Sequence, residues 1–408
     1  MICVMEIQNI KDLIGPLLKG NKKYLSHEQE KLLQVGENYG SVILKLVVYC
    51  EDENGKKEEH HCIAKLVPPS SYIQKIFKTK ITFKKEIRIY DTIIPLLRSF
   101  GEEHGLKNLL PFFGKYIGSR ISLNPKSVDV DNDAALILRN LSYDGYVVCD
   151  RFIGFNKETM ELLLKDLATM HATTIGYKLQ KPEEFNQKIL PHFFGTMDWD
   201  YNDITIEKYQ DQYGAVLEKD PNCSHLRQKV LHSMNKAGCY YGSKPREPFA
   251  TMIHQDLWVN NMMLKFIDGK PISSKFIDFQ IMAYGNPACD VLFLIYTSAQ
   301  IDLLHLVDDF VKIYFDHFIT ILKNLHCDIS NFTFEAFQNE MYTAATDFTF
   351  VHILYMLAIT NTLTGKAKDI TEMTGHEDCV VPNENLHELF YRRLLVVVKE
   401  FGRKGWIP

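Results

Sequence analysis

Apolar and polar positions change period several times along the chain, and each change predicts a change of element. Residues 5–34 space their leucines and isoleucines helically among Lys and Glu, so the chain is expected to open on a helix. The period then shortens: Gly36-Glu37-Asn38-Tyr39-Gly40-Ser41 leads into a β-rich run over 42–49. A charged turn with Asn54-Gly55 at its tip follows, and residues 60–67 return as a second strand ending at Pro68-Pro69. Residues 83–90 read as a helix, and 112–117 and 134–138 as two more strands. Beyond Lys157 helical spacing dominates, over 157–173, 218–237, 287–318, 334–362 and 385–401. It is interrupted by Asn261-Met262-Met263-Leu264-Lys265-Phe266 and Ser274-Lys275-Phe276-Ile277-Asp278, two short strands about the tight-turn signal Asp268-Gly269. The pattern predicts an α+β chain of two lobes: a small β-rich N-terminal lobe over 1–138 and a larger helical C-terminal lobe over 139–408.

That hairpin gives chemical meaning to the residues at its ends. It follows His254-Gln255-Asp256-Leu257-Trp258-Val259-Asn260-Asn261 and closes on Ile277-Asp278-Phe279-Gln280. In-line phosphoryl transfer needs a carboxylate beside the attacking hydroxyl and a metal clamp on the nucleotide phosphates. In kinase folds these come from a loop Asp, an Asn five residues on, and a second Asp shortly after. Asp256 to Asn261 is that step, and a hairpin of this length brings Asn261 beside Asp278. One Asp and one Asn suit Mg²⁺, which takes oxygen ligands and completes its shell with water and phosphate oxygens. An isolated His-x-Asp would read as a surface turn; the complete set is far more specific.

In the N-terminal lobe, Gly36, Asn38, Gly40 and Ser41 form a small-residue loop whose N–H groups can approach nucleotide phosphates closely. Alone it reads as a plain hairpin turn. Lys65, inside the apolar strand, needs a partner or a wet edge. Glu86 on the following helix is the expected partner, with Glu102 and Glu103 poorer competitors. Together they reproduce the strand Lys held by a helix Glu that kinases place on ATP.

Composition narrows the alternatives. The 408 residues are 46% hydrophobic and 24% charged, as in an ordinary globular protein. A net charge of −5 gives no basic footprint for nucleic acid. Nine cysteines without a Cys-x-x-Cys pair fit reduced thiols rather than a disulfide framework or a zinc site. No signal peptide and no run of membrane-spanning length is read, so a cytoplasmic location is expected.

The motifs around Asp256 and Asp278 resemble those of the ecdysteroid kinase-like family, which carries the choline-kinase-like domain and is related to choline kinases and aminoglycoside phosphotransferases. Three further stretches carry the resemblance: the helix with Glu86, Tyr90 and Pro95, Leu167-Ala168-Thr169-Met170-His171-Ala172, and Tyr284-Gly285-Asn286-Pro287-Ala288-Cys289-Asp290-Val291. It covers roughly residues 35–370. It implies a protein-kinase-like fold and ATP- and Mg²⁺-dependent phosphorylation of a small-molecule hydroxyl. Asp256 would be the base, Asn261 and Asp278 the metal ligands, Lys65 the phosphate-binding cation and Glu86 its orienter. His254 and His171 would hold structure, and Asp290 would either anchor the catalytic loop or cap a helix. Two departures stand out. Gln255 occupies a position where the family commonly has Gly, and Arg139-Asn140 stands at the hinge in place of an acidic pair. The acceptor is open: an ecdysteroid, a xenobiotic alcohol or a phenol would suit the aromatic helices near 347–362. The rival readings are a pseudokinase acting as a small-ligand-binding protein, and a protein kinase. Gln280 in place of Gly in Asp-Phe-Gly, and the lack of Ala-Pro-Glu, speak against the latter.

Overall fold

The computed structural model describes residues 6–32, 41–193, 203–235, 244–366 and 380–408. Strands β1 (Lys23–Lys31), β2 (Val42–Glu51), β3 (Lys57–Leu66), β4 (Tyr116–Arg120) and β5 (Ala135–Arg139) form one antiparallel sheet in the order β1-β2-β3-β5-β4. The β2–β3 pairing runs from Val42 opposite Leu66 to Glu51 opposite Lys57, turning at Asn54-Gly55 as the sequence predicts.

Strand alternation divides the sheet's two faces. Cys62, Ala64 and Leu66 of β3 point into a small core with Leu44, Leu46, Val48, Ile117 and Ile137. Ile7, Ile10, Leu13 and Ile14 cover that core. Lys65, one residue out of phase, faces the other way.

The helix expected over 5–34 is a correction. Two short 3₁₀ turns, Ile10–Leu13 and Gly15–Leu18, precede β1, which pairs with β2 from Lys23 opposite Glu51 to Lys31 opposite Leu44. Leu, Lys and Glu favour helix in isolation, but a free sheet edge offers this segment a full hydrogen-bond ladder, and pairing overrides propensity. Close packing fixes the 3₁₀ turns: a side chain at Gly118 on β4 would lie 2.0 Å from the Leu13 carbonyl oxygen. Gly36, Asn38 and Gly40 lie outside the described residues. Ser41 is within them, buried at the foot of β2.

Helices α1 (Ser71–Ile76), α2 (Thr79–Arg88) and α3 (Ile94–Glu103) follow β3, with a π turn, Ile89–Ile93, joining the last two. The strand expected at 112–117 is displaced: β4 starts at Tyr116, while Phe112 accepts the Phe276 N–H at 2.9 Å and so ties this segment to the far lobe.

The helical part comprises α4 (Lys157–Gln180), the short α5 (Pro182–Glu184), α6 (Asp203–Lys219), α7 (Arg227–Met234), α8 (Pro287–Ser298), α9 (Val307–Asn324), α10 (Phe334–Ala344), α11 (Phe350–Thr360) and α12 (Leu389–Arg403). A single helix over 218–237 is not formed. Pro221, which has no N–H to donate, sits in the turn that separates α6 from α7, and 236–237 lie outside the described residues. Likewise 287–318 divides at residues 299–306 into α8 and α9. Phe334–Thr360 is continuously helical through a π turn and is long and apolar enough to cross a membrane, contrary to the sequence reading. Two-thirds of its most apolar window is buried inside the protein, among α8 and α12, where it serves as core.

Within this lobe lie β6 (Val147–Val148), β7 (Thr251–Ile253), β8 (Met262–Ile267), β9 (Lys270–Phe276) and β10 (Ala283–Gly285). β8 and β9 form the expected hairpin, turning at Asp268 and Gly269 with φ of 50° and 76°. β7 pairs with β10, so the chain leaves the core at Ile253 and re-enters beside it at Ala283. Everything between is a closed excursion whose two ends are held together.

Candidate active site

The strand phase that turns Lys65 away from the small core delivers it to α2. Its Nζ lies 2.6 Å from Glu86 Oε2 and 2.9 Å from Asp278 Oδ1. The other Glu86 oxygen accepts the Phe279 N–H at 3.2 Å, so this one carboxylate ties β3 to the backbone that follows Asp278. Burial alone would lower the Lys65 pKa, but Asp278 and Glu86 outweigh it and hold that pKa above the ordinary lysine value. Asp278 shows the converse: burial works to raise it, and Lys65 brings it below the usual carboxylate range. Glu86 is more deeply enclosed, and there burial wins, raising its pKa despite Lys65.

The loop after β7 is fixed by buried partners. Asp290, in the first turn of α8, accepts the N–H groups of His254 (2.6 Å) and Gln255 (2.8 Å). His171 on α4 contacts it at 3.2 Å. The cap of α8 is Asn286, so Asp290 serves as loop anchor. His254 accepts the Asp256 N–H at Nδ1 (3.3 Å) and donates from Nε2 to the Ile277 carbonyl (3.1 Å). Those two roles define a neutral ring, and burial, partly offset by Asp290 and Asp278, lowers its pKa accordingly. It is a strut between the loop and the hairpin's far end. Trp258 is buried in the apolar core and braces the same loop.

Asp256 is partly exposed. Asn261 Nδ2 donates to both its carbonyl oxygen and Oδ2 at 2.8 Å. That fixes the carboxylate and leaves the Asn261 amide oxygen for another partner. Enclosure, then the charge of Asp278, raises the Asp256 pKa well above the ordinary value, which makes it a stronger proton acceptor. The Ile277 N–H reaches the Asn261 carbonyl at 3.0 Å, which sets Asn261 and Asp278 at adjacent hairpin ends as the sequence implies.

The described residues hold no cluster of three or more His, Cys, Asp or Glu suited to a metal ion. One carboxylate and one amide oxygen is nevertheless the sparse oxygen set that Mg²⁺ accepts when phosphate and water supply the remainder. On that donor chemistry the residues present fit the ion.

Sequence reasoning missed four features. Gln280 donates from Nε2 to Asp278 Oδ1 at 2.8 Å, giving the residue in place of Gly a positioning contact. Arg139 pairs with Asp144 at 2.8 Å, neutralising the hinge locally. Gln255 adopts φ of 68°, the left-handed region that favours glycine. Gln255→Gly should therefore raise stability by about 1 kcal/mol, as relieved backbone strain exceeds the entropy glycine adds to the unfolded chain. Chemical denaturation of the two proteins checks it.

The fourth is Lys85, buried beside Glu86, with its Nζ donating to the Met282 carbonyl at 2.9 Å. Burial lowers its pKa to about 8. The unfolded chain therefore binds the extra proton between about pH 8 and the ordinary lysine value, so this group's contribution makes stability rise with pH across that window. Below pH 8 the cost of burying the charge is present in full. Lys85→Met should stabilise the protein by about 2 kcal/mol at pH 7 and flatten the pH dependence above 8, as measured by urea unfolding from pH 7 to 10.

The profile of the ecdysteroid kinase-like family matches residues 35–327, most of the chain and all of the site just described. The chain belongs to the ecdysteroid kinase-like family. No curated protein matches it in sequence. Among solved structures, this family member is similar to an ethanolamine kinase of Plasmodium vivax, with 13% identity and a TM-score of 0.41, covering 94% of this chain and 84% of that one. It is also similar to a GDP complex of an aminoglycoside 2'-phosphotransferase, with 10% identity and a TM-score of 0.41, covering 93% and 92%. Within the family's matched region, Lys65 joins Glu86 and Asp278, and Asn261 joins Asp256; Gly36, Asn38 and Gly40 fall outside the described residues.

Proposed function

We propose that this chain is an ATP- and Mg²⁺-dependent small-molecule kinase, acting on a hydroxyl of a lipophilic acceptor such as an ecdysteroid or a xenobiotic alcohol. The carrying observation is the joint placement of Asp256, Asn261 and Asp278 with the Lys65–Glu86 pair. Family membership supports the reading. The acceptor hydroxyl oxygen bonds to the γ-phosphorus as its bond to the β,γ-bridging oxygen breaks. ADP departs with that electron pair, and the hydroxyl proton passes to the Asp256 carboxylate. Lys65, oriented by Glu86, would bind the nucleotide phosphates; Asn261 and Asp278 would hold Mg²⁺, which when bound offsets charge on the phosphate oxygens. Orientation and charge neutralisation supply most of the rate.

Incubating the protein with Mg²⁺–ATP and a panel of steroid, sugar, choline and phenolic alcohols tests this. A phosphorylated product that requires both Mg²⁺ and ATP is the expected result. Binding of no nucleotide at all would favour a ligand-binding pseudokinase, whereas Mg²⁺–ATP binding without product would point to an acceptor class outside the panel.

A further inference from the structure

Each of the two side chains suited to the metal has one polar atom committed and one to spare. Asn261 directs Nδ2 to Asp256 and keeps its amide oxygen. Asp278 shows the same division. Lys65 Nζ (2.9 Å) and Gln280 Nε2 (2.8 Å) both donate to Oδ1, and among the described residues no hydrogen bond reaches Oδ2. The Asp278 side chain is 30% exposed, and Oδ2 is open to solvent. Gln280 is 4% exposed, and its own Oε1 is buried without a hydrogen-bond partner among the described residues. An unmatched buried acceptor opposes folding, so an apolar residue would be the more stable choice at this position. What the amide does make is the bond to Asp278, and only its donor end can face a carboxylate. The surrounding backbone delivers it there: the Phe279 N–H is held by Glu86 and the Met282 carbonyl by Lys85, so the segment is pinned on both sides of Gln280.

Building on the metal and nucleotide assignments proposed above, we infer that Gln280 sets which divalent cation the site takes, by occupying Oδ1 and restricting Asp278 to one ligand oxygen. Lys65 cannot serve this purpose in the working complex, because its ammonium is the group proposed to meet the nucleotide phosphates. When it turns to them, Gln280 remains on Oδ1. One oxygen from Asp278 and one from Asn261 leave most of a cation's shell to phosphate and water, which suits Mg²⁺, a small ion that keeps several waters. Ca²⁺ takes about six to eight oxygens and often binds a carboxylate through both of its own. That second oxygen is what Gln280 withholds. A neutral amide suits the task, since it engages one oxygen without cancelling the charge that attracts the cation.

Calorimetry of ADP binding in excess Mg²⁺ or excess Ca²⁺ tests this without any turnover. The parent should bind ADP about tenfold more tightly with Mg²⁺ than with Ca²⁺, the scale of one charge-assisted hydrogen bond. Gln280→Met, close in length and without a donor, should bring that ratio towards one by tightening the Ca²⁺ complex. Mg²⁺–ADP affinity should stay within a few-fold. Gln280→Leu should do the same. A gain of Ca²⁺ affinity cannot come from damage to the fold. Both variants also lose the orphaned Oε1, so urea unfolding should find them at least as stable as the parent. A parent without preference for Mg²⁺, a ratio unchanged in both variants, or a ratio that falls only through weaker Mg²⁺ binding overturns the role of Gln280 and leaves the kinase reading standing. ADP that binds equally well in EDTA, or does not bind at all, overturns the metal assignment of that reading and the role of Gln280 with it.

Discussion

Asp256→Asn is expected to cut phosphoryl transfer by about a thousandfold while Mg²⁺–ATP affinity stays within a few-fold of the parent. The amide replaces the carboxylate proposed to take the hydroxyl proton, and general-base contributions typically reach 10²- to 10⁴-fold. It is close to isosteric, and Asn261 can still donate to the oxygen it retains, so the loop geometry held by Asp290 and His254 has little reason to change. The loss should therefore fall on kcat, with acceptor KM little affected. A second signature follows from electrostatics. Enclosure and Asp278 raise the Asp256 pKa in the free protein, so kcat/KM should climb with pH through a range above that of an ordinary carboxylate. Single-turnover kinetics and a pH profile of the parent measure both. A variant retaining a tenth of parental kcat would remove Asp256 from the role of base.

Legibility in the sequence followed how local each signal was. The β8–β9 hairpin could be read because Asp268-Gly269 fixes the turn and the lengths of its arms then fix which residues end side by side. Asn261 and Asp278 were found by that route. Lys65 was found because a charge inside an apolar strand demands a partner, and the strand's period sends it to the face opposite Cys62 and Ala64. By contrast β1 was misread, since its polar residues carry no alternation strong enough to outweigh their helical preference; only pairing with β2 decides it. Asp290 could be assigned two roles from its position before an apolar helix, and long-range contacts with the loop were needed to choose. Backbone angles are the least legible: nothing in Gln255 itself announces a φ of 68°. The strain comes from a loop pinned at both N–H groups, a tertiary property. The glycine resemblance was its sole trace in the sequence. Lys85 is similar, since a lysine between Lys84 and Glu86 reads as solvated until α2 is packed against residues 279–282.

Lys65→Met should be the most disruptive single change in the N-terminal lobe, and its damage should divide into separable parts. Lys65 is 5% exposed and is the cation facing both Glu86 and Asp278. Removing it leaves the 1%-exposed Glu86 carboxylate without its counter-charge, a situation that costs about 3–5 kcal/mol. The protein's response is to keep Glu86 protonated. A carboxyl whose folded pKa lies above its unfolded value contributes stability that is present at low pH and lost as pH rises through the folded value. Burial already raises Glu86 in the parent, and loss of Lys65 raises it further. The variant's deficit should consequently be small near pH 5 and grow towards pH 8, read by urea unfolding at both ends. Adding Glu86→Gln removes the stranded charge and should recover most of the stability at pH 8, since a buried pair replaced on both sides is often close to neutral. Nucleotide binding should not return, because the cation proposed to meet the phosphates is gone in both variants. Full stability in the single variant would show that the pair is not what joins α2 to β3. Recovered Mg²⁺–ATP affinity in the double variant would instead take Lys65 out of the nucleotide site while leaving its structural role intact.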